Sequence, residues 1–362
     1  MEIGWDGAEK LLFVGEELSA WPPLFHYTNL AGLTGIVRSQ QIRATHFTDL
    51  NDTTEVVHVR LFLREAIVEL AHKLLLSAQL RRPQKPLVFE EYRQSGYKFI
   101  EGSKPMRMIA FEKVGEQRYS SLRQVAIQWA DFVLDFLYSR ISEEDRLAFF
   151  VTSFCSHEKN SYEYRNGLLS QWRGYGAGGG YCIVLDSKKI WDMVAEEYDA
   201  AAYLTISVDK VEYAEPDFES TRLWKQLAQA VERFVGDAID GRLSFPSEAL
   251  RLFVLRAVFL KHQAFREEQE IRLAAFPTPR SIRQGLKREQ RVKPPPLKRV
   301  HFTSCVAKKR RFISLFESVK NGLPILRVIV GPSTDQQSRV LETQAICGPN
   351  IEVTASATPY VD

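Results

Sequence analysis

The spacing of apolar and polar positions changes repeatedly along the chain, which predicts short strands among longer helices. Residues 24–28 alternate as a strand does, and the apolar positions of 30–38 recur at helical spacing. Between 52 and 141 the helical spacing continues almost throughout, which predicts a helical insertion or lid. Strand patterns resume at 147–155. This order lacks the regular alternation of a doubly wound sheet, so we predict an α+β fold.

One later stretch combines a strand pattern with charge. Alternation over residues 268–276 predicts a strand with an apolar face and a charged face. The charged face carries Glu268, Glu270 and Arg272. Such a row is typical of an edge strand decorated to block pairing, and equally of a cleft that uses a catalytic Glu-x-Glu. The pattern alone leaves both interpretations open.

Composition narrows the class of protein. The chain has 362 residues, of which 45% are hydrophobic and 26% charged, with a net charge of +3. These values exclude global disorder and disfavour polyanion binding by the whole surface. We predict a single domain over residues 1–362, without a secretion signal. The longest apolar run, 56–76, is interrupted by charges and predicts an amphipathic helix, so we expect a cytoplasmic protein that does not enter membranes. The oligomeric state stays open.

Two short motifs suggest common cofactor sites, but neither has the context that such a site requires. Gly174-x-Gly176-x-x-Gly179 matches the dinucleotide fingerprint, but it follows a helix and precedes a strand, which is the wrong order. Cys155 and His157 near Cys182 lack a fourth ligand, so we predict no metal site.

Beside the glycines lie Trp172, Arg173 and Tyr175. Core packing explains the two aromatic rings about as well as a nucleotide site does.

A basic, proline-containing loop region is predicted at 277–311. Its basic residues lie between 280 and 311 and are opposed there only by Glu289. They are Arg280, Arg283, Lys287, Arg288, Arg291, Lys293, Lys298, Arg299, Lys308, Lys309, Arg310 and Arg311. The density of charge fits either a solvated loop or contact with a polyanion such as nucleic acid.

Six motifs, taken in order, resemble a large bacterial family of unassigned function whose members often occur among defence genes. They are Phe25-His-Tyr-Thr28, Leu50-Asn-Asp-x-x-Glu55, Gln171-Trp-x-x-Tyr175, Lys261 with Glu268-x-Glu270-x-Arg272, Gly331-Pro332 and Ser356-Ala-Thr-Pro-Tyr360. That family is in turn remotely similar to the ADP-ribosyltransferase fold. The resemblance implies an ADP-ribosyltransferase-like mixed β core with a large helical insertion.

In that fold a first-strand His binds a ribose hydroxyl of NAD, a second-strand aromatic or Ser/Thr residue shapes the nicotinamide pocket, and a late-strand Glu catalyses. The resemblance gives these roles to His26, to Trp172 and Tyr175, and to Glu270. Breaking the nicotinamide–ribose bond develops an oxocarbenium-like cation, which a fixed carboxylate stabilises.

The remaining site residues follow from the same resemblance. Glu268 would activate the acceptor as a base, and Arg272 or Arg173 would hold the pyrophosphate. Tyr27 and Thr28 would complete the cofactor site, with Tyr27 standing where the poly-ADP-ribose type has glycine.

The implied protein is an NAD-dependent ADP-ribosyltransferase-like enzyme, a defence effector or toxin that takes NAD as substrate. The acceptor stays open, and one candidate is a nucleic acid or a phosphorylated molecule held by the 280–311 segment. Two rivals stay open, an NAD glycohydrolase and a non-catalytic nucleic-acid-binding or sensing protein.

Overall fold

A computed structural model describes sixteen segments of the chain. They are 13–14, 21–50, 53–81, 87–88, 109–110, 122–127, 130–131, 134, 149–175, 179–214, 224–226, 228–229, 231–233, 258–278, 295–303 and 309–359. The chain forms two compact units, although the sequence predicted one domain. Unit 1 comprises Met1–Asp49, Leu147–Val211 and Ala264–Asp362, and unit 2 comprises Leu50–Arg146 and Glu212–Gln263.

The strands, in chain order, are β1 (Phe13–Val14), β2 (Leu24–Thr28), β3 (Ile42–His46), β4 (Leu87–Val88), β5 (Ile109–Ala110), β6 (Phe150–Ser156), β7 (Tyr181–Leu185), β8 (Tyr203–Lys210), β9 (Glu212–Ala214), β10 (Leu260–His262), β11 (Glu270–Pro277), β12 (His301–Phe302), β13 (Arg311–Leu315), β14 (Ile325–Val330) and β15 (Glu352–Ala355). The helices with defined bounds are α1 (Leu30–Ser39), α2 (Thr53–Arg81), α3 (Tyr162–Asn166), α4 (Leu169–Tyr175), α5 (Ser187–Ala200) and α6 (Gln336–Cys347).

Unit 1 is built on an eleven-stranded sheet, with the order β1-β8-β11-β6-β2-β7-β14-β15 along its main path. A branch of β3, β13 and β12 joins this path at β6. Two of its pairings are parallel, β1 with β8 and β14 with β15, and the others are antiparallel. The mixture of a largely antiparallel sheet and separate helices agrees with the predicted α+β class.

Unit 2 contains all of the predicted helical insertion, residues 52–141. Its described part contains α2 and a helical stretch at 122–127, and the Arg64 guanidinium donates to Asp131 at 2.5 and 3.0 Å. The insertion also contains a strand pair that the almost continuous helical spacing did not predict, formed by β4 and β5. Each of these strands is only two residues long, too short to leave an alternation in the sequence. Within the described residues, no helix is long and apolar enough to cross a bilayer.

The unit 1 sheet has two chemically different faces. Residues directly opposite in paired strands share a face, and neighbours along a strand alternate. One face carries the large apolar cluster that includes Leu24, Phe154 and Leu273, and we call it the core face. Helices α1 and α5 contribute Leu33 and Ile190 to the same cluster.

The opposite side of the same strands is polar over β6, β8 and β11, and we call it the polar face. Five of its residues, all on strands that neighbour one another, are Ser153, Thr205, Asp209, Glu270 and Arg272. All but Ser153 are buried. Beside them, over β2 and β7, a smaller apolar cluster covers this side of the sheet.

Candidate functional site

The sheet divides at β6. One edge of this strand pairs continuously with β11, from Cys155 opposite Glu270 to Phe150 opposite Ala275. The other edge pairs with β2 at residues 155–156 and with β3 at residues 150–151. Between these pairings lie Thr152, Ser153 and Phe154, where the two branches separate. We call this gap the split.

His26 fills the split from the β2 side. Its Nδ1 lies 3.1 Å from the carbonyl oxygen of Ser153. A carbonyl oxygen only accepts, so Nδ1 carries the proton of this hydrogen bond. Burial lowers the pKa of His26, against a smaller opposing effect of that hydrogen bond. The ring is therefore neutral near pH 7, and Nε2 is an acceptor suited to a hydroxyl group.

Ser153 links the split to the polar face. Its carbonyl oxygen meets His26, while its side chain lies on the polar face opposite Arg272. Its neighbours Thr152 and Phe154 are buried, but Ser153 itself is exposed. The side chain thus forms an accessible floor beside the charged residues of β11.

Glu270 and Arg272 form a buried ion pair on that face. The Arg272 Nε donates to one carboxylate oxygen of Glu270 at 2.6 Å, and a terminal nitrogen donates to the other at 3.1 Å. Their side chains are 3% and 8% exposed, respectively. Spacing of two along β11 brings the groups together, and the two-point contact fixes the orientation of the carboxylate.

His26 and Glu270 do not share a face. Glu270 lies opposite Cys155, and Cys155 lies opposite Phe25, so these three side chains point to the polar side. His26 follows Phe25 and therefore begins on the core side. The strands β2 and β11 are two strand spacings apart, about 10 Å. A molecule seated over the Ser153 side chain would lie one strand spacing from each of these two strands, on the polar side that Glu270 shares and His26 does not.

Glu268 lies outside the predicted strand. It ends a 3₁₀ helix, Gln263–Glu268, and Gln269 has a left-handed φ of 45°. Strand pairing begins only at Glu270. The prediction of a charged row from 268 to 272 was wrong at its first member, because the turn at Gln269 interrupts the alternation.

Tyr27 lies on the polar side and holds the connection between α3 and α4. Its hydroxyl accepts from the Leu168 N–H at 2.7 Å and lies 3.1 Å from His157 Nε2. Burial raises the pKa of Tyr27 and lowers that of His157 to about 4, so the phenol donates to a neutral imidazole. Thr28, which pairs with Tyr181, is half-buried at the end of β2.

Trp172 is a core residue. It is 1% exposed, contacts Tyr27 edge-on at 5.0 Å between ring centroids, and donates through Nε1 to the Asn166 carbonyl at 2.9 Å. A Cβ at Gly167 or Gly331 would lie within 3.0 Å of the indole, so glycine is needed on both sides. The ring has no open face for a base.

Arg173 and Tyr175 are exposed on α4, and Tyr175 is 45% exposed. The strand between the His26 strand and the Glu270 strand is β6, which carries neither residue. Lys261 lies on β10 in unit 2 and is buried.

Two cations of the 280–311 segment have internal partners. The Lys298 ammonium is 2.7 Å from Glu197 and 2.9 Å from Glu317, with its side chain 4% exposed. The Arg311 guanidinium donates to both carboxylate oxygens of Asp49. These two ion pairs stabilise the fold. The basic residues from Arg280 to Lys293, together with Lys308, lie outside the described residues.

The two cysteines belong to the smaller apolar cluster that lies beside the polar residues on the same side of the sheet. Cys155 and Cys182 are buried on strands that flank β2, and burial raises the pKa of Cys182. In the part of the chain that the structure describes, no group of three potential ligands is arranged to hold a metal ion.

Sequence reasoning missed Ser153. The strand at 147–155 was predicted, but nothing in its local pattern distinguishes the serine that stays exposed where the sheet divides. The split depends on how β2 and β3 share one edge of β6, and these strands are more than 100 residues away from β6 in the chain. The spacing pattern along the strand therefore held no signal for this residue.

Comparison with known proteins gives one match. No curated protein and no solved structure matches the chain. The matched segment is residues 171–273. It includes Gln171, Trp172, Tyr175 and the 268–272 motif, whereas His26 and the C-terminal motifs lie outside it. The expected resemblance to a family of unassigned function is thus confirmed over part of the chain, where a family model described as a protein of unknown function, DUF2971, matches residues 171–273.

Proposed function

We propose that this protein cleaves NAD at the nicotinamide–ribose bond and transfers ADP-ribose, as an ADP-ribosyltransferase-like enzyme. The observation that carries the proposal is the order of three neighbouring strands. The strand with His26, the strand with Thr152 and Ser153, and the strand with Glu270 are adjacent in the sheet. In this proposal the three strands would take the three strand roles of the ADP-ribosyltransferase fold.

The assignment of the second role changes with the structure. Trp172 and Tyr175 were expected to shape the nicotinamide pocket, but they lie on α4. Ser153 takes their place, because it is the exposed residue of β6. A nicotinamide ribose over Ser153 would lie within one strand spacing of Glu270 on one side and His26 on the other.

The chemistry then follows from the two anchored groups. His26 Nε2 accepts a ribose hydroxyl, since its Nδ1 proton is committed to the Ser153 carbonyl. The Glu270 carboxylate stabilises the positive charge that develops at the anomeric carbon. Arg272 orients that carboxylate by donating a hydrogen bond to each of its oxygens. In this proposal it is therefore a positioning residue and not a pyrophosphate ligand.

The test measures the free nicotinamide that the full-length protein releases from NAD. Chromatography detects the product. Glu270→Gln should lower the rate by about 100-fold or more, the scale of losing one preorganised electrostatic group. Glu352→Gln is the matched control, because Glu352 also begins a strand but is exposed on β15. It should keep the wild-type rate.

A second variant separates chemistry from folding. Ser153→Trp fills the exposed floor of the site, and it should abolish turnover while leaving the thermal midpoint nearly unchanged. Normal nicotinamide release by Ser153→Trp, or by a folded Glu270→Gln protein, would refute the site. Transfer of labelled ADP-ribose to RNA or protein, against its release to water, then distinguishes a transferase from a glycohydrolase.

A further inference from the structure

The branch of the sheet formed by β3, β13 and β12 is locally basic. No acidic residue occurs in the described stretches 42–46, 295–303 and 309–315. Their cationic residues are Arg43, Lys298, Arg299, Lys309, Arg310 and Arg311. Lys298 and Arg311 are held by Glu197, Glu317 and Asp49, as described above. Arg43, Arg299 and Lys309 are exposed. The positive potential at this branch is therefore stronger than the chain's net charge of +3 suggests.

Three planar side chains are layered on this branch. The rings of His301 and Phe312 are stacked, with centroids 5.4 Å apart and an interplanar angle of 23°. The Arg43 guanidinium lies 4.6 Å from the centroid of the same Phe312 ring. We call these three residues the platform.

Strand register explains the arrangement. His301 lies opposite Phe312, and Phe312 lies opposite Thr45, two residues from Arg43 on β3. All four side chains therefore share a face. The Arg43 guanidinium thus lies over the Phe312 ring, and Arg43 is itself exposed.

We propose that the platform binds an unpaired base of a single-stranded nucleic acid, with Arg299 and Lys309 contacting its phosphates. Guanidinium planes and aromatic rings are the surfaces on which splayed-out bases stack. The surrounding cations supply the sequence-independent attraction to phosphate. A duplex keeps its bases stacked inside, so it would engage the cations alone.

This inference goes beyond the proposed enzymatic function and does not depend on it. Arg43 lies on β3, which forms one side of the split, so the platform adjoins the proposed NAD site. If both proposals hold, a nucleic acid held there is the candidate acceptor. Binding without NAD tests the platform separately from the chemistry.

The experiment is fluorescence anisotropy of labelled oligonucleotides with the full-length protein and no NAD. Twelve-nucleotide single-stranded RNA, single-stranded DNA of the same sequence, and the matching duplex are titrated at 50 and 200 mM salt. Arg43→Gln should weaken single-strand binding about tenfold, within the range for losing one stacking contact. Its effect on the duplex should be no larger than that of removing any single charge. The RNA and DNA arms decide which strand is preferred.

Arg38→Gln is the matched control, because Arg38 is an exposed arginine at the end of α1 that belongs to no part of the platform. It should bind like the wild type. Lys309→Gln should weaken all ligands alike and reduce the salt slope by about one. Glu270→Gln, if folded, should bind normally.

Three results would overturn the inference: no oligonucleotide binds at 50 mM salt, Arg43→Gln and Arg38→Gln behave identically, or the duplex binds as tightly as the single strands and loses as much with Arg43→Gln. If the protein binds oligonucleotides but releases no nicotinamide from NAD, only the enzymatic proposal is refuted.

Discussion

His157 shows how one buried side chain ties the site to pH. The residue is 4% exposed, and its ring contacts Phe25 with centroids 4.6 Å apart. Burial, only partly offset by Glu163, lowers its pKa to about 4. The unfolded chain binds the proton near pH 6.5, whereas the folded chain resists it. Stability from this residue is therefore complete above about pH 6.5 and is lost as the pH falls towards 4.

We predict that the protein loses more stability between pH 7 and pH 5 than a His157→Gln variant does. The expected difference is about 2 kcal/mol, from a pKa displaced from 6.5 to about 4. Urea unfolding at the two pH values measures it. Tyr27→Phe is the control, since it removes the hydroxyl partner but keeps the titrating ring. Equal losses in the wild type and His157→Gln would show that this imidazole does not titrate on unfolding.

The Glu270–Arg272 pair makes a separate prediction about stability. Removing either partner breaks a buried ion pair, which costs about 3–5 kcal/mol. Arg272→Met and Glu270→Gln should each destabilise strongly, and the double variant should lose much less than the sum. A double-mutant cycle in urea reports the coupling. Simple additivity would mean that the two charges are stabilised by other groups.

At the scale of single elements, local spacing predicted the strand but assigned one residue too many to its charged face. The strand pattern of 268–276 correctly anticipated that Glu270 and Arg272 share a face. It failed at Glu268, because a left-handed residue at Gln269 leaves no mark on apolar periodicity. Trp172 could be read as core or site, and only its contacts with Tyr27 and two glycines decided for the core.

The split was beyond the reach of sequence patterns for a different reason. Pairing of β6 with β2, β3 and β11 joins segments from distant parts of the chain. Alternation states which residues share a face of one strand, but it does not state which strands are neighbours. The exposure of Ser153 depends on those neighbours alone.

For the whole molecule, the matched segment 171–273 does not correspond to either unit. It includes β7, β8 and the first four residues of β11, yet β7 pairs with β2 and β14, and β11 pairs with β6. Those three partner strands lie outside 171–273. The segment also contains parts of both units. It is a stretch of sequence similarity and not a separable domain.

We predict that residues 171–273, produced alone, lack cooperative unfolding. Both edges of β7 and one edge of β11 would lose their partners, and apolar residues such as Ile183 and Leu273 would face water. Urea titration followed by circular dichroism tests this, with the full-length chain as the control. A sigmoidal transition in the fragment would contradict the sheet order described here.

The anchoring of Lys298 has a consequence for recognition that is entropic in kind. Leu297 bridges to Ala202, and Lys298 is clamped by Glu197 and Glu317, directly before the residues that lead to His301. That stretch of backbone is already fixed before a ligand arrives. A single-stranded nucleic acid that binds here contacts backbone that is already ordered, so binding does not include the entropy loss of ordering a loop. The affinity should therefore depend little on ordering of this backbone. It should depend strongly on ionic strength, because exposed cations attract the ligand.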